Sequence, residues 1–433
     1  MIQAPTWLGD ADDADFASTP VEDSGERARL PTALTLILLT LFLPEAFSFF
    51  VFGLRLTLTR LLFLVLVPVV AVRFAAKINQ GNYRFVASDI FVPLSGIWMF
   101  LGPAVINGVA DTLVHSGPIV LEYLMAYLAT RVLLSARGEA IAFVELLCLA
   151  IAFVVADALL DTITGHYFTR DVASQLTGYY KAWNAADEYR FGFLRAAGPI
   201  EHPILLGFIC AIGFLISVSV TIRFRRLSIF MCGLGVVIAF SSAPEQALAM
   251  GIGLLVYSRM FTDVPNKWLL LSVPPVLGAV VLMESTSSPF GHLFDYLTID
   301  PQTAYFRLYI WNVIGPAVLQ SPYFGVVEGS YDYEGSVDSL WLVLSMLYGI
   351  PCAILTGLSM IGSCSLSTSW PRARLSGAET KLGTTLGIIV FLVIFMGFTV
   401  HLWGTTWILV GLLVGVRAHL GELGHREAVE DPP

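Results

Sequence analysis

Twelve apolar runs, most of them close to the roughly 20 residues that cross a bilayer core, leave this chain few ways to fold. They lie near 32–51, 58–76, 88–106, 117–135, 140–158, 203–222, 227–241, 246–261, 267–284, 339–361, 383–400 and 402–417. A soluble surface needs about a quarter of its residues charged. Here only 13% of 433 residues are charged and 56% are apolar, with a mean hydropathy of +0.76. The predicted fold class is an all-α polytopic membrane protein with about 12 transmembrane helices.

Lys and Arg concentrate in cytoplasmic loops, so their positions orient the runs. With the N-terminus inside, 17 of the 24 basic residues fall on the cytoplasmic side, among them Arg73, Lys77, Arg131, Arg225 and Arg372. The outer set is Arg55, Arg60, Arg170, Lys181, Arg190, Arg195 and Arg307. This predicts both termini inside. Residues 1–30 carry seven acids before Arg27 and Arg29 and no basic segment leading into a short apolar core. They are expected to be a disordered acidic cytosolic tail and not a cleavable signal. Residues 31–417 then form one transmembrane domain and 418–433 a second cytosolic tail. The tails supply much of the formal charge of −9, which therefore says nothing about substrate.

The five cysteines lie in or beside apolar runs with no C-x-x-C pair, the pattern of buried small hydrophobes. No H-x-x-x-H or H-E-x-x-H spacing and no G-x-x-x-x-G-K-[ST] loop occurs, which speaks against a metal site and against ATP-driven transport by this chain alone. Acids within the runs, notably Glu45, Glu122, Glu145 and Asp157, are costly in lipid. They are expected to face the bundle interior and to pair, Glu122 with a Lys or Arg of a neighbouring helix.

Two long polar and aromatic stretches, 158–202 and 285–337, both fall on the outer side and hold the candidate chemistry. The first contains Tyr167, Phe168, Tyr179, Tyr180, Trp183, Tyr189, Phe191 and Phe193, rings suited to the headgroup level or to stacking on sugars. It ends in Arg195-Ala-Ala-Gly198-Pro-Ile-Glu201-His202-Pro203. Arg195 reads either as a side chain reaching headgroup phosphate or as a functional cation, and Glu201 and His202 either as residues suited to a helix N-terminus or as proton carriers. In the second stretch, Asp300-Pro301 has the form of a helix start. The segment Tyr305-Phe-Arg-Leu-Tyr-Ile-Trp311 puts Arg307 and Trp311 on one helical face, where an indole could hold the guanidinium. Glu328, Asp332 and Glu334 make the following loop acidic. Asp338, before the run at 339, reads as a helix N-cap or as a general base.

Arg195-Ala-Ala-Gly198-x-x-x-His202-Pro203-Ile-x-x-Gly207, Phe240-Ser-Ser-Ala-Pro244, Arg307-x-x-x-Trp311, Pro322-x-x-Gly325 and Ser336-Val-Asp338-Ser-Leu-Trp, in this order within the twelve-run frame, resemble the O-antigen ligase and Wzy-type polysaccharide polymerase superfamily over about residues 30–417. The chain looks closer to the exopolysaccharide polymerases, because the ligases carry a His followed by Asn where it has Asp338-Ser339. The resemblance implies an integral-membrane glycosyltransferase of the bacterial inner membrane, with its site facing the periplasm. A growing glycan would pass from polyprenyl diphosphate to a hydroxyl of a lipid-linked repeat unit. Asp338 is then the expected base, with Glu201 and His202 as rivals, and Arg195, Arg307, Trp311 and Tyr309 the expected substrate contacts. No metal or other cofactor is expected. The implied partners are the lipid-linked donor and acceptor, membrane lipid and other polysaccharide assembly proteins, with no nucleic acid. The alternatives are an O-antigen ligase acting on a lipid A core, and a flippase or exporter of lipid-linked oligosaccharide.

Overall fold

The structure, a computed structural model, describes residues 28–51, 53–136, 138–179, 188–273, 301–327, 333, 335–364 and 376–430. The N-terminal tail through residue 27, Tyr180, Lys181 and Trp183, the 274–284 part of the ninth run, and Glu328, Asp332 and Glu334 lie outside the described residues. The helices are α1 (Thr32–Leu41), α2 (Leu58–Asn79), α3 (Ser88–Asn107), α4 (Val109–His115), α5 (Gly117–Leu133), α6 (Glu139–Thr164), α7 (Phe168–Thr177), α8 (Pro203–Ser219), α9 (Arg225–Ile238), α10 (Ser242–Met260), α11 (Pro301–Gln320), α12 (Leu340–Tyr348), α13 (Ile350–Gly362), α14 (Gly377–Met396) and α15 (Thr405–Glu430). Two small hairpins, β1 (Ser48–Val51) with β2 (Leu54–Thr57) and β3 (Tyr189–Arg190) with β4 (Phe193–Leu194), are both antiparallel. Five of the described helices, α2, α3, α6, α14 and α15, are long and apolar enough to cross a membrane. The chain is a mostly helical membrane protein.

α15 is the axis of the bundle, buried along all of Thr405–Leu423, and α5 is its closest partner. Gly411 and Gly415 make the approach: a Cβ on Gly415 would sit 2.1 Å from Thr130 Oγ1 and 2.5 Å from the Tyr127 carbonyl. Small residues four apart allow two backbones to touch where lipid offers no hydrophobic drive for association. Here they let Thr130 Oγ1 donate to the Leu412 carbonyl at 3.0 Å.

Charges gather at the two ends of α5. Near its start, Glu122 pairs with Arg60 of α2 at 2.7 Å, and Glu45 pairs with Arg55 at 3.0 Å. Near its other end, the fully buried Arg131 binds Asp89 at 3.0 Å and also Glu422 of α15, with its guanidinium 4.3 Å from the centre of the Tyr83 ring. Among the described residues, each of these charges has an opposite charge beside it, as its desolvation requires.

Three runs depart from the sequence reading. The run at 32–51 is helical only to Leu41, about 15 Å of rise, before Pro44 and the β1–β2 hairpin take over. The run at 339–361 breaks at Gly349, whose φ of +86° is in the left-handed region. The Pro322–Val326 segment enters the break, with Ile350 N–H donating to the Pro322 carbonyl at 2.8 Å and Val326 N–H to the Met346 carbonyl at 2.7 Å. A Cβ on Gly349 would lie 2.0 Å from the Tyr323 carbonyl oxygen. This insertion fixes the end of α11 against α12. The run at 402–417 continues as helix through Glu430, and residues 418–423, expected in a tail, are buried in the bundle.

Candidate active site

Residues 195–202 form a ledge at the Glu122 end of α5, held from both sides. On one side the β3–β4 hairpin, turned by Phe191 and Gly192 at φ +53° and +82°, brings Glu188 beside Arg195. The Arg195 N–H donates to the Glu188 carbonyl at 3.0 Å and its Nη1 to Glu188 Oε2 at 2.9 Å. The hairpin rests on the C-terminus of α9, whose last carbonyls lack intrahelical donors and carry partial negative charge. Ala196 N–H, Arg195 Nε and Arg190 Nη1 donate to the carbonyls of Ile238, Ala239 and Phe240 at 3.0, 3.1 and 3.1 Å. On the other side Asp161 Oδ2 accepts from the N–H groups of Ala197 and Gly198 at 3.2 and 2.7 Å, and Arg170 donates to the carbonyls of Gly198, at 3.1 Å, and Ile200. Gly198 has φ +55°, and a Cβ there would meet Ala158 at 3.1 Å.

His202 caps α8. Its Nδ1 accepts the Ile204 N–H at 3.1 Å, which leaves Nε2 as the protonated nitrogen, 3.5 Å from Glu188 Oε1. Both ring nitrogens are therefore engaged, and His202 is placed to position Glu188. Burial alone would raise the Glu188 pKa, but the His202 hydrogen bond and the Arg195 charge hold this carboxyl below the usual range.

Arg307, on α11, is 9% exposed and Arg195 is 5% exposed. Arg195 Nη2 and Arg307 Nε are buried with no hydrogen-bond partner among the described residues. Burial lowers the pKa of each guanidinium, opposed by Glu188 at Arg195 and by Asp338 at Arg307, and reinforced at both by the charge of Arg190. Both remain cations. Trp311 does not hold Arg307: its Nε1 donates to the Phe398 carbonyl at 3.2 Å and its indole stacks on Phe398. Tyr309 stays 53% exposed, with Tyr333 edge-on to it at 6.4 Å.

Asp338 is not the cap of α12. That role belongs to Ser339, whose Oγ accepts the Leu342 N–H at 3.4 Å and donates to the Gly397 carbonyl at 3.1 Å. Asp338 Oδ1 accepts from Ser336 Oγ at 2.6 Å, and the half-buried carboxylate faces Arg307 electrostatically without forming an ion pair with it. Its negative charge also reaches His401 in the α14–α15 connection, where burial pushes the imidazole down to about 4 against the pull of Asp338. His401 is neutral at pH 7, and its ring lies 5.2 Å from Trp403, which in turn lies 5.9 Å from His202.

Glu201 is turned away from this set. The extended backbone of His202, φ −152° and ψ +145°, places adjacent side chains on opposite faces. Glu201 Oε1 accepts from Thr405 N–H at 2.7 Å and Thr405 Oγ1 at 3.0 Å, while Oε2 is buried without a partner among the described residues. Burial, with the charge of Glu45 added, pushes this carboxyl up to about 7. It borders a cavity of about 250 Å³ behind the ledge and a second of about 40 Å³ beneath it. Because the folded protein keeps a proton that an ordinary glutamate releases near 4.5, the resulting stability is present at low pH and is lost as pH rises through about 7. The thermal midpoint of the wild type is expected to fall between about pH 5 and 7.5 relative to Glu201→Gln. Parallel curves for the two proteins would show that the carboxyl is already ionised.

The structure thus groups Arg195, Glu188, His202, Arg307, Asp338 and His401 on one side of the ledge and sets Glu201 on the other. Asp161, Glu188 and His401 were not among the sequence candidates. Asp161 and His401 each sit at the end of an apolar run, which is the one signal that marked them. No family model matches the chain, and no curated protein matches it.

Proposed function

We propose that the chain is a glycan polymerase of the bacterial inner membrane, with about twelve spans, both termini in the cytoplasm and the ledge at the periplasmic face. The observation that carries this reading is the pair of buried guanidiniums, Arg195 and Arg307, each with one nitrogen left unpartnered among the described residues. Buried donors are rarely left unsatisfied without a purpose, and the chemistry that matches two guanidinium forks is a diphosphate. A glycan on polyprenyl diphosphate would place its leaving group there and its anomeric carbon toward Asp338. The acceptor hydroxyl oxygen forms the new bond to that carbon as the bond to the diphosphate oxygen breaks. The bonding pair leaves on the diphosphate, where the arginines offset the developing charge, and Asp338 takes the hydroxyl proton. His202 holds Glu188, and Glu188 holds Arg195. The exposed Tyr309, beside Tyr333, offers rings on which sugar C–H faces stack.

Purified protein incubated with a lipid-linked repeat unit is expected to yield a ladder of longer glycans without added nucleotide. Unextended substrate overturns the polymerase reading, and transfer confined to a lipid A core would make the protein a ligase. The orientation has its own test. Cysteines placed at Lys181 and Tyr331 should react with an impermeant thiol reagent applied from the periplasmic side, and those at Arg225 and Arg372 should not. Labelling at 225 or 372 would invert the topology and remove the site from the periplasm.

A further inference from the structure

We infer that the cavity behind the 195–202 ledge is a second sugar subsite, one that takes a neutral hexopyranose and rejects a hexuronate or a phosphate. The inference rests on the reading of the protein as glycan-handling, but its test measures binding alone. The cavity is separate from the arginine site because the ledge backbone stands between them: Arg195 and His202 lie on one face and Glu201 on the other. Its volume, about 250 Å³, is below the roughly 300–1,000 Å³ of pockets for drug-sized ligands, which suits a single ring and not an oligosaccharide.

The lining combines the two surfaces a pyranose presents. Tyr167, Tyr179 and Leu194 offer apolar area for the C–H face, while Glu201, Asp171 and Ser174 offer hydrogen-bonding groups for the hydroxyl edge. Tyr179 is held in place by Arg55, whose guanidinium lies 4.6 Å from the ring centre, and by Phe50 at 6.0 Å. Tyr167 carries Arg170 4.7 Å from its ring centre. Glu201 supplies the demand for a ligand: it is 6% exposed, Oε1 is taken by Thr405, and Oε2 is left without a partner among the described residues. A hydroxyl satisfies such an oxygen whichever protonation state it holds, since the group can donate or accept.

Charge decides the class of sugar. Among the described residues, Glu45, Asp171 and Glu201 border the cavity against a single arginine, Arg170. Arg170 spends its Nε and one terminal nitrogen on the carbonyls of Gly198 and Ile200, so it is committed to holding the ledge. Glu45 is paired with Arg55, but Asp171 and Glu201 remain to repel an anion in a partly desolvated space, where like charges interact more strongly than in water.

The test uses the full chain in lipid nanodiscs free of sugar headgroups. Saturation-transfer NMR at pH 8 compares methyl glucopyranoside, galactopyranoside and mannopyranoside with the corresponding methyl hexuronates. At least one neutral ring is expected to bind, and its uronate about tenfold or more weakly, a difference of about 1.4 kcal/mol. Glu201→Gln and Asp171→Asn, which keep shape and hydrogen bonding, should narrow that ratio to about threefold or less, and Ser174→Trp should abolish binding by filling the space. Inorganic pyrophosphate should not displace the sugar. The inference is overturned if no neutral ring binds, if neutral and acidic partners bind alike, if the conservative variants leave the ratio unchanged, if sugar still binds Ser174→Trp, or if pyrophosphate competes. Should Ser174→Trp fail to fold, the two conservative variants decide the matter. A protein that binds the sugar but gives no ladder would refute polymerisation and leave the subsite standing.

Discussion

Asp338→Asn is expected to leave a folded, inserted protein that still binds its lipid-linked donor but polymerises about a hundredfold or more slowly, the range lost when a general base is removed. The structure makes this substitution unusually clean. Ser339 caps α12, so the helix start does not depend on position 338, and an amide oxygen can still accept from Ser336 Oγ. What Asn cannot do is take a proton. Ser339→Ala is the matching control, expected to cost about 1 kcal/mol of stability through the lost cap while the rate changes far less. Normal polymerisation by Asp338→Asn would remove Asp338 as the base, and with it the mechanism above.

Arg307→Lys is expected to lower polymerisation by about a hundredfold or more at unchanged membrane insertion, since a preorganised charge-assisted contact to the leaving group is worth several kcal/mol in the transition state. Lysine keeps the charge but loses the planar fork that engages two phosphate oxygens at once. Arg307 is the better of the two arginines to read. Its Nε has no hydrogen-bond partner among the described residues, and its described electrostatic neighbour, Asp338, faces a lysine ammonium as well as a guanidinium. Arg195→Lys should lose activity comparably, but it also breaks the bond to Ala239 and loosens the one to Glu188. Wild-type activity in Arg307→Lys would mean that the guanidinium only anchors α11 to headgroups.

Much of the helical frame was legible because apolar runs of bilayer length have few alternatives to helix. Where runs break was not. Hydropathy is blind to Gly349, whose left-handed backbone admits the Pro322–Val326 segment, and to the hairpin after Pro44. The α11 helix, with Arg307 and Trp311 on one face, followed from spacing, but the indole's partner is Phe398, more than eighty residues away in sequence. Asp338 and Ser339 are both good caps, and only the three-dimensional register shows which one serves. Glu201 and His202 read as a unit in sequence because they are adjacent, and in an extended segment adjacency is what separates them. His401 needed the fold to bring distant loops together, and Glu188 needed the β3–β4 hairpin to turn it back beside Arg195.

The burial of α15 at the bundle's axis bears on how the protein is made. Its core helix follows every other described helix in the chain, so it leaves the ribosome after all of them. Until it inserts, Thr130 of α5 lacks the Leu412 carbonyl, and Arg131 has Asp89 but not Glu422. The earlier helices must therefore wait in the bilayer as an incomplete ring, the stage at which membrane-resident chaperones and proteases compete for a nascent chain. A stop codon between positions 405 and 422 would leave that ring permanently open, with the ledge's Thr405 tether to Glu201 attached to a helix that lacks its anchor at the far end.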